Sequence, residues 1–128
     1  MSYYFSKKLH DITFDGAIEK TTGALKEHGF GVLTEIDMTG TLKKKLDKDI
    51  KPYRILGACH PPSAFEAVRN EDHIGLMLPC NVIVKDDGDG VEVAAIDPVA
   101  SMQAVDNDDL GKIAVDIQNK LKTVIESL

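Results

Sequence analysis

Gly75-Leu76-Met77-Leu78-Pro79-Cys80-Asn81-Val82-Ile83-Val84-Lys85, then Asp86-Asp87-Gly88-Asp89-Gly90, then Val91-Glu92-Val93-Ala94-Ala95-Ile96 is the stretch whose reading decides the fold. Leu76, Leu78, Cys80, Val82 and Val84 recur at period two, the mark of a strand with one buried face, and place a strand over Gly75–Lys85. The Asp/Gly run supplies the positive φ that a hairpin turn needs. Val91–Ile96 then returns beside the first strand, so at least one strand pair is antiparallel. Pro79 has no N–H to give a ladder, which predicts an edge or a bulge at that point.

Before this hairpin the chain alternates between strand and helix signals. Tyr3–Leu9 reads as a strand. Thr13 caps a helix whose apolar residues Phe14, Ala17, Ile18, Ala24 and Leu25 follow helical period, and Gly29 stops it. Phe30–Asp37 reads as a strand with Phe30, Val32, Thr34 and Ile36 on one face. Asp37 caps a short helix through Leu46. Tyr53–Cys59 is a further strand, and Pro61-Pro62 opens a helix to about Asn70, since proline costs nothing in a first helical turn. After the hairpin, Leu110, Ile113, Ile117, Leu121, Val124 and Leu128 form one apolar stripe behind an Asn107 cap, with Asp108 and Asp109 in the favourable first turn.

The order β-α-β-α-β-α-β-β-α predicts an α+β fold: a mixed sheet of about five strands, at least one pair of them antiparallel, with helices mainly on one face. With 128 residues, 43% apolar and 28% charged, the chain fits a single domain spanning 1–128 with one main core. Such a chain buries roughly two thirds of its unfolded surface and needs no staple. The net charge of −6 and the lack of a basic patch beyond Lys43-Lys44-Lys45 disfavour nucleic acid as a partner. No apolar run approaches the ~20 residues of a membrane span. Met1–Lys8 lacks the apolar region of a signal peptide, so a cytoplasmic location with reduced cysteines is expected.

Chemistry concentrates at two places. Cys59 closes a strand just before a helix start, where free N–H groups and the helix dipole stabilise a thiolate, and His60 beside it can act as base or ligand. Against this stands the plain reading of Cys59 as packing and His60 as a cap. Cys80 shares a face with leucines and valines and reads first as a small hydrophobe. A turn centred on Asp87-Gly88 would set Val84 opposite Val91 and Cys80 opposite about Ala95, with Asp97 near Leu78 and Pro79. A pocket lined by Cys59, His60, Cys80 and Asp97 is therefore expected, with Asp37 and Thr39 at another strand-to-helix junction lining the same end, although capping also explains them.

The cysteine spacing is no C-x-x-C motif, and only Cys59-His60 supplies a close ligand pair, so no metal is assigned. Gly29-Phe30-Gly31 and Gly88-Asp89-Gly90 feed strands and make no dinucleotide site. Ser63 and Ser101 lack the setting of a nucleophile elbow.

Four segments in series, Gly29–Asp37, Tyr53–Pro61, Gly75–Val82 and Ala95–Pro98, resemble the domain-of-unknown-function family numbered 302. The resemblance implies a small α+β domain with a largely antiparallel curved sheet carrying helices, similar in broad plan to the TATA-binding-protein group, and a homodimer. It supplies no activity and no cofactor. One departure is His60, where the family's Cys-Asn-Pro corner commonly has asparagine. The functional expectation is a non-catalytic dimeric module binding a small ligand or partner near Cys59 and Cys80. The alternative is thiol-based redox or metal handling, using Cys59 with Cys80, His60 or Asp97.

Overall fold

A computed structural model describes residues 2–128. In chain order the elements are β1 (Tyr4–Leu9), α1 (Phe14–Glu27), β2 (Gly31–Asp37), α2 (Met38–Leu46), β3 (Tyr53–Cys59) and α3 (Pro61–Asn70). A 3-10 turn (Ile74–Met77), β4 (Cys80–Asp86), β5 (Val91–Ile96), α4 (Pro98–Ser101) and α5 (Asp108–Ser127) complete the fold. The five strands form one sheet in the order β1-β5-β4-β3-β2. Every neighbouring pair is antiparallel. The parallel component expected of a mixed sheet is therefore missing among the described residues. The helices α2 and α3 are excursions at strand ends that return the chain antiparallel, which needs no crossover.

Local chemistry sets the element boundaries. Thr13 Oγ1 accepts from the Gly16 N–H at 2.9 Å and opens α1; Asn107 Oδ1 accepts from the Asp109 N–H at 3.0 Å and opens α5. Gly29, at φ +85, turns the chain out of α1. The strand expected over Gly75–Lys85 begins only at Cys80. Gly75–Met77 lie in the 3-10 turn, and Leu76, assigned to the buried face, is 84% exposed. Pro79 precedes the ladder instead of interrupting it, so β4 sits as a central strand with all its N–H groups available.

In β2 the register shifts between Val32 and Thr34, as a bulge does. That extra residue breaks the single face expected for Phe30, Val32, Thr34 and Ile36: Phe30 is buried, whereas Ile36 is exposed on the opposite side. The β4–β5 loop is also wider than expected. Asp86 pairs Val91 and Val84 pairs Val93, with the Asp87 N–H donating to Gly90 O at 2.9 Å across the loop. This moves the register by two residues, which leaves every side chain on its expected face.

Helices α1 and α5 cover one face of the sheet, where Leu56, Val82, Val84, Val93 and Ala95 meet Leu25, Ile117, Leu121 and Val124. A second, smaller cluster joins Ala67, Ile74 and Leu110 with Leu78, Met102, Val105 and Ile113. Among the described residues, neither α1 nor α5 lies on the other sheet face. Across it the register lines up Ser6, Ala94, Ile83, Ile55 and Ile36 in one row, and Lys8, Glu92, Lys85 and Tyr53 in the next.

Candidate functional site

Antiparallel strands bring alternate ends together. Cys59 ends β3, Cys80 begins β4, and Ile96 ends β5, so the segments that follow or precede them share one end of the sheet. Helices α3 and α4 start there, and α5 packs against both. The two hydrophobic clusters do not close completely on each other. Between them lies a cavity of about 250 Å³.

The floor of the cavity is Ala58 and Cys80, a cross-strand pair on the helix-facing side of the sheet. Ala64 and Ala67 wall it from α3, Ile113, Ala114 and Ile117 from α5, and Pro98 and Met102 from α4 and its end. Phe30, Leu33, Leu78 and Pro79 complete the apolar lining. Four of these residues are alanines where larger apolar side chains would fill the gap. The space exists because helix faces that pack in period here present small residues.

Polar groups are confined to Cys59, His60, Ser63 and Cys80. His60 is the N-cap of α3, and its Nδ1 lies 2.8 Å from Ser63 Oγ, one turn into the helix. Its ring stacks at a tilt on Phe30, with centroids 5.5 Å apart. The other edge of the ring leaves no room for a side chain at position 29, where a Cβ would come within 3.3 Å of Nε2. Burial holds the imidazole below its ordinary pKa, and Lys120 adds to this while Asp116 works against it. His60 is therefore neutral at pH 7, and its bond to Ser63 can run in either direction.

Cys59 and Cys80 are both free thiols; Cys80 is buried and Cys59 half-buried. Burial pushes the Cys80 thiol up to about 11, with Cys59 nearby contributing. Cys80 is thus protonated throughout the physiological range, as its apolar face suggests. The helix end beside Cys59 is a poorer anion site than the sequence implies. Pro61 and Pro62 fill its first two positions, so two of the usual free N–H donors are missing.

Of the residues expected at the site, Cys59, His60 and Cys80 are brought together in the cavity wall. Asp97 and Asp37 are not in that wall. Asp97 comes to the same end of the sheet, but its carboxylate accepts from the Val99 N–H at 3.0 Å and from Gln118 Nε2 at 3.0 and 3.1 Å. Asp37 lies at the opposite end, because β2 runs antiparallel to β3 and pairs Asp37 with Arg54 and Gly31 with Cys59. There it caps α2, accepting from the Gly40 N–H at 3.0 Å. Its expected place beside Cys59 is corrected by that antiparallel pairing. Among the described residues, no three of the His, Cys, Asp and Glu side chains converge as a metal ion requires.

Sequence reading set Ser63 aside as lacking a nucleophile elbow, and passed over Met102 and the alanines of α3 and α5. The signal for Ser63 was its position three residues after His60, one helical turn away. The signal for the cavity was Ala64, Ala67 and Ala114 on faces that are otherwise large and apolar.

The family model described as "Domain of unknown function DUF302" matches residues 5–128. A crystal structure of an uncharacterized conserved DUF302 protein from Bacillus stearothermophilus superposes with a TM-score of 0.90 at 24% identity, covering 98% of each chain. A search of curated proteins finds no match. No helix among the described residues is long and apolar enough to cross a membrane. With the family model spanning nearly the whole sequence, the chain belongs to the DUF302 family.

Proposed function

We propose that this protein is a non-catalytic, dimeric module that binds a small molecule in the cavity bounded by Cys59, Cys80, α3 and α5. The observation that carries this reading is the cavity itself: about 250 Å³ of apolar space with its few polar groups gathered on one side. Binding sites for small molecules have this composition, with apolar walls and a few placed polar groups that fix orientation. The neutral Cys80 thiol and the two prolines at the start of α3 argue against a cysteine nucleophile. Titration of the ¹⁵N-labelled protein with toluene tests the reading. Saturable shifts at Ala58, Ala67, Met102 and Ala114 support it, and the absence of any saturable shift contradicts it.

The dimer is assigned to the open sheet face. In its apolar row Ile36 is exposed and Ile55 and Ile83 are partly exposed in the single chain, Ala94 between them and β1 is buried, and Tyr4 extends the exposed surface. Beside it the signs alternate from Lys8 to Glu92 to Lys85, a pattern that a two-fold axis can set against itself. Light scattering after gel filtration should give twice the chain mass, falling to one in Ile83→Lys. A monomeric mass for the unaltered protein at micromolar concentration would refute the assignment.

A second reading, thiol redox or metal handling, rests on the half-buried free thiol of Cys59 in the cavity wall with Cys80 beyond it. Alkylation of Cys59 well below pH 8 at rates above those of a free thiol would favour it over the binding module.

A further inference from the structure

We infer that the ligand of this cavity is an uncharged, largely apolar molecule of about ten non-hydrogen atoms with a single hydroxyl or carbonyl group, held at the His60–Ser63 pair. The inference rests on the cavity being the binding site proposed above, and goes further by naming what the site accepts.

Size follows from the volume. An apolar cavity of about 150 Å³ accommodates benzene, so the space here takes a body of roughly ten heavy atoms. Charge follows from the lining, which contains no Asp, Glu, Lys or Arg. An ionised group seated there would lose its hydration without gaining an ion partner, a cost that a ligand of this size cannot recover. The charged groups that act on His60, Lys120 and Asp116, are of opposite sign and oppose each other.

Polarity follows from the strongest hydrogen-bonding groups of the lining, Ser63 and His60. Ser63 Oγ and His60 Nδ1 already share a bond of 2.8 Å. When Nδ1 carries the proton, Ser63 accepts from it and its own hydroxyl is free to donate, for example to a ligand carbonyl. With the proton on Nε2, Ser63 donates to Nδ1 and keeps a lone pair for a ligand hydroxyl. The pair serves either group through Ser63 Oγ, while the ring's Nε2 edge lies against Gly29. The Cys80 thiol adds only a weak donor.

Calorimetric titrations at pH 7.5 with octan-1-ol, octanoate and octylammonium chloride test the inference. The alcohol is expected to bind at least tenfold more tightly than either ion. Ser63→Ala should weaken the alcohol about threefold to tenfold, the loss of one hydrogen bond. Filling the cavity by Ala114→Leu should abolish binding. Should that variant fail to fold, Ser63→Ala keeps the test decisive, since Ser63 lies outside the buried core. If octanoate or octylammonium binds as well as the alcohol, the assigned ligand class is wrong although the site stands. Octan-1-ol binding undiminished in Ser63→Ala would remove the polar anchor. If none of the three binds, the ligand site itself is lost.

Discussion

Ala114 reaches the cavity from α5 and is 4% exposed, so replacing it with leucine tests whether the space between the two clusters is real. The substitution adds three carbons. At about 0.8 kcal/mol for each buried methylene, the gross gain is roughly 2.4 kcal/mol. Fixing the new side chain costs about 0.5–1 kcal/mol of rotamer entropy. A net stabilisation of about 1–2 kcal/mol follows if the cavity accepts the side chain without strain. Urea denaturation reads this as a midpoint raised by roughly 0.5–1 M at unchanged slope. The same variant should lose ligand response. Toluene at a hundred times its dissociation constant stabilises the unaltered protein by about 2.7 kcal/mol and Ala114→Leu by nothing. A leucine that destabilises by more than ~1 kcal/mol is overpacking a filled core, and would refute the cavity.

Three further outcomes follow from the structure. Cys80 should resist alkylation until pH nears 11, reacting after Cys59 at every lower pH, and mass spectrometry of timed digests checks the order. Because that thiol sits above its ordinary 9.0 in the folded state, stability is complete below pH 9 and falls by roughly 2–3 kcal/mol as pH rises to 11; a pH series against Cys80→Ser isolates the effect. His60 has the opposite sign, its folded pKa lying below the ordinary 6.5. Unfolded chains bind that proton more readily, so stability drops as pH falls from 6.5 to the folded value and is flat beneath it; His60→Gln should flatten this part of the curve, and an unchanged curve would show that His60 is not desolvated. Gly57→Ala should cost about 1–3 kcal/mol, because its Cβ would collide with Thr34 Oγ1 and fall 2.7 Å from Pro79 Cγ, with a neutral result in urea denaturation counting against the packing.

Much of this fold was legible because it rests on local signals that agree. Thr13 and Asn107 cap the helices they were expected to cap, and Tyr53–Cys59 and Val91–Ile96 are strands with the expected ends. The alternating valines of β4 lie on the buried face even though the hairpin register moved by two residues. What failed depended on non-local geometry. A single bulge at β2 sent Ile36 to the open face, and nothing local distinguishes that bulge from a regular strand. The period-two pattern through Leu76 and Leu78 matched a strand, but Pro79 starts the ladder at Cys80 and the preceding residues turn as a 3-10 segment.

At the site the same division holds. Cys59-His60 and Cys80 flank a strand-to-helix corner and a strand start, and antiparallel pairing of β3 with β4 brings them to one place. Asp97 follows the same strand ends, yet a carboxylate close in space is engaged by Gln118, which lies 21 residues away in sequence. The cavity itself arises from what α3 and α5 omit. Small residues give no positive signal in hydrophobic periodicity, so Ala67 and Ala114 read as ordinary core positions until the two clusters are seen side by side.

The central claim is that a preformed apolar cavity at the Cys59/Cys80 end of the sheet takes a neutral ligand. A crystal structure grown with 4-iodophenol tests it most directly, because the anomalous signal of iodine locates the ring without interpretation of weak density. The predicted result is one strong peak between Ala67, Met102 and Ile117, with the phenol hydroxyl within hydrogen-bonding distance of Ser63 Oγ. A peak only on the open sheet face beside Tyr4 and Ile83, or no peak at saturating phenol, would contradict it.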